Sequence, residues 1–154
     1  MNEQRIFEHL LNIANRSGDT DGVVTACLMR DGEIITDAVS AGVEHAEYEL
    51  LKKLKKESLA ILPQDVVYVT VQPCDSRTVG GGGELLGDCT TNLINAKVRF
   101  VVYGAAYTRS DNSNSRFATA GVSIRQIDNI EVVRSCIKLF NDTNCHPAKH
   151  LPLV

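Results

Sequence analysis

The seven residues Asp65 to Val71, DVVYVTV, constrain the fold more than any other stretch of this chain. Apolar, β-branched and aromatic side chains follow one another there with almost no polar alternation. Successive side chains of a strand point to opposite faces, so a run of this kind must be covered on both sides. Such a strand sits in the middle of a sheet with helices on both faces, the arrangement of α/β proteins.

The neighbouring segments supply the other elements. Ile6, Leu10, Leu11, Ile13 and Ala14 recur at helical spacing, and the turn formers of Asn15 to Gly22 end that helix. Val23 to Met29 and Glu33 to Val39 read as strands. Asp31-Gly32 between them is a strong hairpin signal. His45 to Ser58 reads as a helix, with Ala46, Leu50, Leu51 and Leu54 on the apolar side and Lys52, Lys53, Lys55 and Lys56 on a solvated one. Asp88 or Cys89 opens another helix through Leu93, Ile94 and Ala96, and Val98 to Tyr103 reads as a strand. Thr108 to Ser115 reads as loop, Ala120 to Asp128 as helix, Ile130 to Arg134 as a last strand and Ile137 to Phe140 as a short helix. The expected fold is a three-layer α/β/α sandwich around a five-stranded mixed sheet, mixed because the opening hairpin is antiparallel.

A chain of 154 residues without a dividing linker or repeat is expected to form a single domain over 1–154. No apolar run approaches the roughly 18 residues of a membrane span, and Met1 to Arg16 lacks the features of a secretory signal. A cytoplasmic protein without a membrane partner is expected. Five cysteines, an odd number, argue for reduced thiols over a disulfide framework. The formal net charge of −3 speaks against a nucleic-acid partner, which usually meets a basic face.

Two segments carry chemistry: His45-Ala46-Glu47, and Pro73-Cys74 followed later by Cys89. Zinc takes imidazole and thiolate ligands in a tetrahedron, and three protein ligands leave one position for water. His45 and Cys89 lie at the starts of helices, and Cys74 lies just past the end of the central strand. Helix N-termini favour thiolates, and sites in open α/β sheets form outside the carboxyl ends of the strands. His45, Cys74 and Cys89 are therefore the expected ligands of a Zn2+ cofactor. Glu47 points away from His45 on the helix and is the expected proton carrier. The segments fit the H-x-E…P-C-x-x-C pattern of zinc deaminases, with a longer gap between the cysteines.

Around those residues the chain resembles the cytidine-deaminase superfamily, above all its riboflavin-biosynthesis pyrimidine deaminase and deoxycytidylate deaminase branch. Gly42 to Glu47 is similar to that family's G-x-x-H-A-E stretch, and Thr70-Val71-Gln72-Pro73-Cys74 to its T-x-E-P-C run. Arg77 and Thr78 follow as in the family, and Gly121 to Arg134 resembles its last helix and strand. The resemblance spans roughly Gly18 to Arg134. It implies a fifth strand parallel to the fourth. It also implies hydrolytic deamination of a small-molecule substrate, a pyrimidine nucleotide or nucleoside-like metabolite, and a homodimer or higher homo-oligomer. The alternatives are a nucleic-acid base deaminase of the tRNA adenosine or cytidine type and an inactive zinc-stabilised partner subunit. No reductase domain follows, so a monofunctional form is expected.

Three departures stand beside the resemblance. Fourteen residues separate Cys74 from Cys89, against two in the common pattern. Asp19-Thr20-Asp21-Gly22 replaces a Pro-Asn-Pro stretch, and Gln72 replaces a common Glu. Substrate-binding candidates are Arg77, Asp21 and Tyr48. The loop from Arg77 to Gly87, with four glycines at 80–83, reads equally as a phosphate cradle or as an insertion without a ligand. Tyr48 either stacks on a substrate ring or packs. Cys145, His146 and His150 offer three metal donors, though a loose tail is the preferred reading of that segment.

Overall fold

The structure, a computed structural model, describes residues 1–75, 87–107 and 112–154. Arg77 and the four glycines, with the phosphate-cradle expectation attached to them, lie outside the described residues.

Five strands form one sheet in the order β2-β1-β3-β4-β5: β1 Thr25–Arg30, β2 Glu33–Val39, β3 Val66–Val71, β4 Phe100–Ala105 and β5 Ser123–Gln126. β1 runs antiparallel to both β2 and β3, whereas β3, β4 and β5 are mutually parallel. The sheet is therefore mixed, and its fifth strand parallels the fourth. The β1–β2 turn places Asp31 at φ 52 and Gly32 at φ 82. Positive φ at both positions is what a tight hairpin turn needs, and an Asp-Gly pair supplies it at low cost.

Among the described residues five helices cover the sheet: α1 Glu3–Asn12, α2 Ala46–Lys56, α3 Cys89–Asn95, α4 Ser113–Thr119 and α5 Ile130–Asp142. Strand side chains alternate between the two faces. Cys27, Met29, Tyr68 and Val102 point toward α1 and α5, where they meet Phe7, Leu10, Val133, Cys136 and Phe140. Leu28, Val67, Val69 and Val101 point the other way, against Leu50 and Leu54 of α2, Leu93 of α3 and Phe117 of α4. Both faces of β3 are buried, as its unbroken apolar run requires.

The last third departs from the expected elements. Ser113–Thr119, partly expected as loop, is helix α4. Within the expected helix 120–128, residues Ser123–Gln126 instead form β5. This edge strand is largely exposed, so no apolar periodicity marks it. Gly121, at φ 78 just past α4, breaks the chain direction there. Ile130 to Arg134, expected as a strand, opens α5 and runs on through the expected short helix at 137–140. The side chain of Asn129 accepts from the backbone N–H groups of Glu131 and Val132 at 3.1 and 3.2 Å, an N-cap. Burial of Val132, Val133, Cys136, Ile137 and Phe140 recurs at helical spacing. The β-branched content of IEVVR pointed to a strand, but the cap and the longer period decide the outcome.

An ion pair whose carboxylate is buried locks the far end of the sheet. Arg30 donates through Nε and Nη2 to the two carboxylate oxygens of Asp65 at 2.9 and 2.8 Å, and Leu62 N–H donates to Asp65 at 2.7 Å. Burial pushes the Asp65 carboxyl up, but the Arg30 fork and the Leu62 N–H outweigh it. The group therefore titrates below its ordinary 3.8. Its contribution to stability is full above the unfolded-state value and is lost as the pH falls through the lower folded-state value. Asp65→Asn is expected to cost about 2 kcal/mol at neutral pH in urea unfolding. Its stability should also fall less than that of the unsubstituted protein between about pH 4 and pH 2.

Candidate metal centre and active site

The site lies at the carboxyl end of β3, where the strand gives way to Gln72-Pro73-Cys74. Two helices begin beside it. His45 is the N-cap of α2, with extended backbone at φ −68, ψ 158, and Cys89 is the first residue of α3. The expected helical offset between His45 and Glu47 does not apply, because His45 stands just outside the helix. Glu47 falls in the first turn of α2 and is only 3 % exposed.

Nδ1 of His45 lies 3.3 Å from Sγ of Cys89 and 3.6 Å from Sγ of Cys74. These ligand atoms all fall within 4.8 Å of one another. The structure therefore brings together the three residues read from the sequence as ligands. They are one nitrogen and two sulfur donors in a compact group, a set that suits zinc and excludes hard cations such as magnesium or calcium. Among the described residues no fourth His, Cys, Asp or Glu joins the group.

Electrostatics divide the two thiols. Donation from the Cys89 thiol pulls the Cys74 thiol down to about 5; burial opposes this, while His45 and the Cys89 backbone N–H, 3.3 Å from Sγ, assist it. The Cys89 thiol is pushed well above its ordinary range by that same bond to Cys74 and by burial. A metal held there would take both as thiolates. Burial pushes the Glu47 carboxyl up to about 7, against the pull of His45.

The sequence separates the two cysteines widely, and a set of bonds closes that gap. Thr90 donates to the Cys74 carbonyl through its backbone N–H at 3.0 Å and its hydroxyl at 2.8 Å. Arg116, on α4, donates through Nη1 to the Asp75 carbonyl at 2.8 Å and to Oδ1 of Asp88 at 3.2 Å, and through Nη2 to the Thr91 hydroxyl at 2.5 Å. Asp88 Oδ1 also caps α3 by accepting from Thr91 N–H at 2.7 Å. Arg116 therefore bridges the residues that immediately follow Cys74 and precede Cys89.

A pocket with about 490 Å3 of open space has His45, Glu47 and Cys74 in its wall. Asp21, a sequence candidate for substrate contact, lines it as well. Tyr48 does not; its ring lies under the Lys52 ammonium, 5.6 Å from nitrogen to centroid. Sequence reasoning missed Tyr107, which follows β4 and forms another part of the wall, edge-on to Phe140. The signal was available, since pockets in open α/β sheets gather residues from just beyond the ends of parallel strands. Gln72 also lines the pocket. Its Oε1 accepts from Tyr107 N–H at 3.1 Å and its Nε2 donates to Asn114 Oδ1 at 3.0 Å. An amide both accepts and donates; a carboxylate in its place would only accept.

The family model for the cytidine and deoxycytidylate deaminase zinc-binding region matches residues 1–105. The chain belongs to this deaminase family. Solved structures share the fold. A bifunctional diaminohydroxyphosphoribosylaminopyrimidine deaminase and 5-amino-6-(5-phosphoribosylamino)uracil reductase from Thermotoga maritima superposes with a TM-score of 0.69 at 21% identity, over 92% of this chain and 42% of its own. This deaminase-family chain thus spans less than half the length of that protein. The Rib2 deaminase of Aspergillus oryzae, as a C-terminal deletion mutant, gives a TM-score of 0.75 at 17% identity over 97% and 96% of the two chains. The dCMP deaminase of cyanophage S-TIM5, solved with dCMP and dUMP, gives 0.64 at 17% identity over 82% and 99%. No curated protein matches this sequence.

Arg116→Ala should leave the fold intact by circular dichroism and weaken zinc binding about tenfold in chelator competition, the usual scale for residues that orient metal ligands. Arg116→Lys, which lacks the planar fork, should recover only part of the affinity.

Proposed function

We propose that this protein is a zinc-dependent hydrolytic deaminase of an aminated heterocycle, a pyrimidine nucleotide or nucleoside-like metabolite. The observation that carries the reading is the buried carboxyl of Glu47 in the pocket wall, two residues along the chain from the N-cap histidine of a His–Cys–Cys group. A purely structural site needs no such acid beside it. The donor set has three members among the described residues, which leaves a position open, as catalytic zinc sites do.

His45, Cys74 and Cys89 would hold the metal, and zinc bound there supplies Lewis acidity and lowers the pKa of a coordinated water. The chain's own residues provide the rest. Glu47 holds and moves protons: it takes one from the attacking water and delivers it to the ring nitrogen, then takes the remaining proton of the added hydroxyl and delivers it to the departing amine, which leaves as ammonia. Its burial keeps bulk water from competing for those protons. Asp21 at the pocket mouth accepts from hydroxyl or amine donors of the substrate, and the Tyr107 ring offers an apolar wall for its flat face.

An ammonia-release screen over cytosine, adenine, guanine and aminopyrimidine compounds, each with and without phosphate, tests the reading. At least one compound should release ammonia, and a chelator should stop it. Glu47→Ala should retain zinc while turnover falls by about 10²-fold or more. Ammonia release by Glu47→Ala at the normal rate would overturn the proposed role of Glu47.

A further inference from the structure

A second group of metal-binding residue types stands apart from the one at His45. The chain that follows α5 crosses the loop before β1 and is fastened to it. Val23 N–H donates to the Thr143 hydroxyl at 2.7 Å, Asp21 and Asn144 form an antiparallel bridge, and Cys145 N–H donates to the Thr20 carbonyl at 2.9 Å. His146 N–H donates to Asn144 Oδ1 at 2.9 Å, which fixes the turn that follows. The segment is docked and is not the loose tail its composition suggests.

This docking brings a carboxylate oxygen of Asp21, Sγ of Cys145 and a ring nitrogen of His146 within 4.8 Å of one another. Nε2 of His146 lies 2.9 Å from Oδ1 of Asp21. His150, the third donor offered by the sequence, turns elsewhere and places its Nε2 2.9 Å from the Asn144 carbonyl. The third donor comes instead from Asp21, more than a hundred residues away in sequence.

We propose that Asp21, Cys145 and His146 form a second metal site for zinc or a similar borderline divalent cation. The site clips the C-terminal segment to the loop that lines the pocket. The chemistry of the donors selects the ion: one thiolate, one imidazole and one carboxylate suit zinc, while magnesium and calcium require oxygen shells. A thiolate and a carboxylate neutralise a divalent charge, so the loaded site adds no net charge to the surface. Ligand atoms in a zinc tetrahedron stand roughly 3.3 to 3.8 Å apart, given bonds of about 2.0 to 2.3 Å. The side chains are exposed, so small rotations suffice to reach that geometry without moving the bridged backbone. Three protein ligands leave the fourth position to water. Because Asp21 also lines the pocket, occupancy of this site fixes one wall of it.

The test is zinc titration of the metal-free full-length chain with a chromophoric chelator as competitor, beside the Cys145→Ser, His146→Ala double variant. The unsubstituted chain should bind two equivalents. The double variant should bind one equivalent. A single equivalent in the unsubstituted chain, or two in the double variant, would overturn the proposal. A separate readout does not depend on stoichiometry. Zinc at ten times the dissociation constant of the weaker site should slow protease cleavage after the α5 helix about tenfold in the unsubstituted chain and not in the double variant. Equal protection of both proteins would count against the site.

Discussion

The contact on which the rest of the site depends joins the exit of β3 to the start of α3. The backbone N–H of Cys89 points at the sulfur of Cys74, and both donors of Thr90 grip the Cys74 carbonyl. Buried thiols and carbonyls are costly unless they are paired, and here the Cys89 N–H satisfies the sulfur and Thr90 satisfies the carbonyl. The candidate metal centre is thus largely assembled by backbone geometry. The central strand fixes Cys74, the N-terminus of α3 fixes Cys89, and the N-cap position of α2 fixes His45.

That arrangement explains how the long separation between the cysteines is tolerated. A loop can lengthen at small entropic cost as long as its two ends are held. Arg116 holds them by bridging Asp75 and Asp88 from the neighbouring helix α4. The distance between ligands along the chain matters little once their positions in space are set by one strand and two helices packed on the same sheet. The same logic operates at the C-terminal end, where the bridge between Asp21 and Asn144 and the bonds beside it from Val23 and Cys145 turn an unremarkable tail into part of the pocket's surroundings.

The legibility of the chain follows from how strongly each segment is buried. The run at 65–71 is covered on both faces, so its composition announced a central strand. Asp31-Gly32 announced its hairpin because few other residues accept two positive φ values in succession. His45, Glu47 and Cys74 stood out because rare residue types sat beside clear element boundaries. Ser123–Gln126 gave no such sign, since an exposed edge strand has no apolar face to declare itself. IEVVR looked like a strand until the Asn129 cap and the buried spacing through Phe140 are considered together. Asp21 with Cys145 and His146 was illegible as a unit, because no local pattern records a contact between the two ends of a chain.

The central claim is that His45, Cys74 and Cys89 bind one metal ion despite the wide spacing of the cysteines. X-ray absorption at the zinc edge tests it most directly, on the Cys145→Ser, His146→Ala protein loaded with one equivalent of zinc. The account predicts two sulfur neighbours at about 2.3 Å with two lighter neighbours at about 2.0 Å. Replacing Cys89 by Ser should remove one of the sulfurs. A first shell with one sulfur or none before that substitution, or one unchanged after it, would contradict the account.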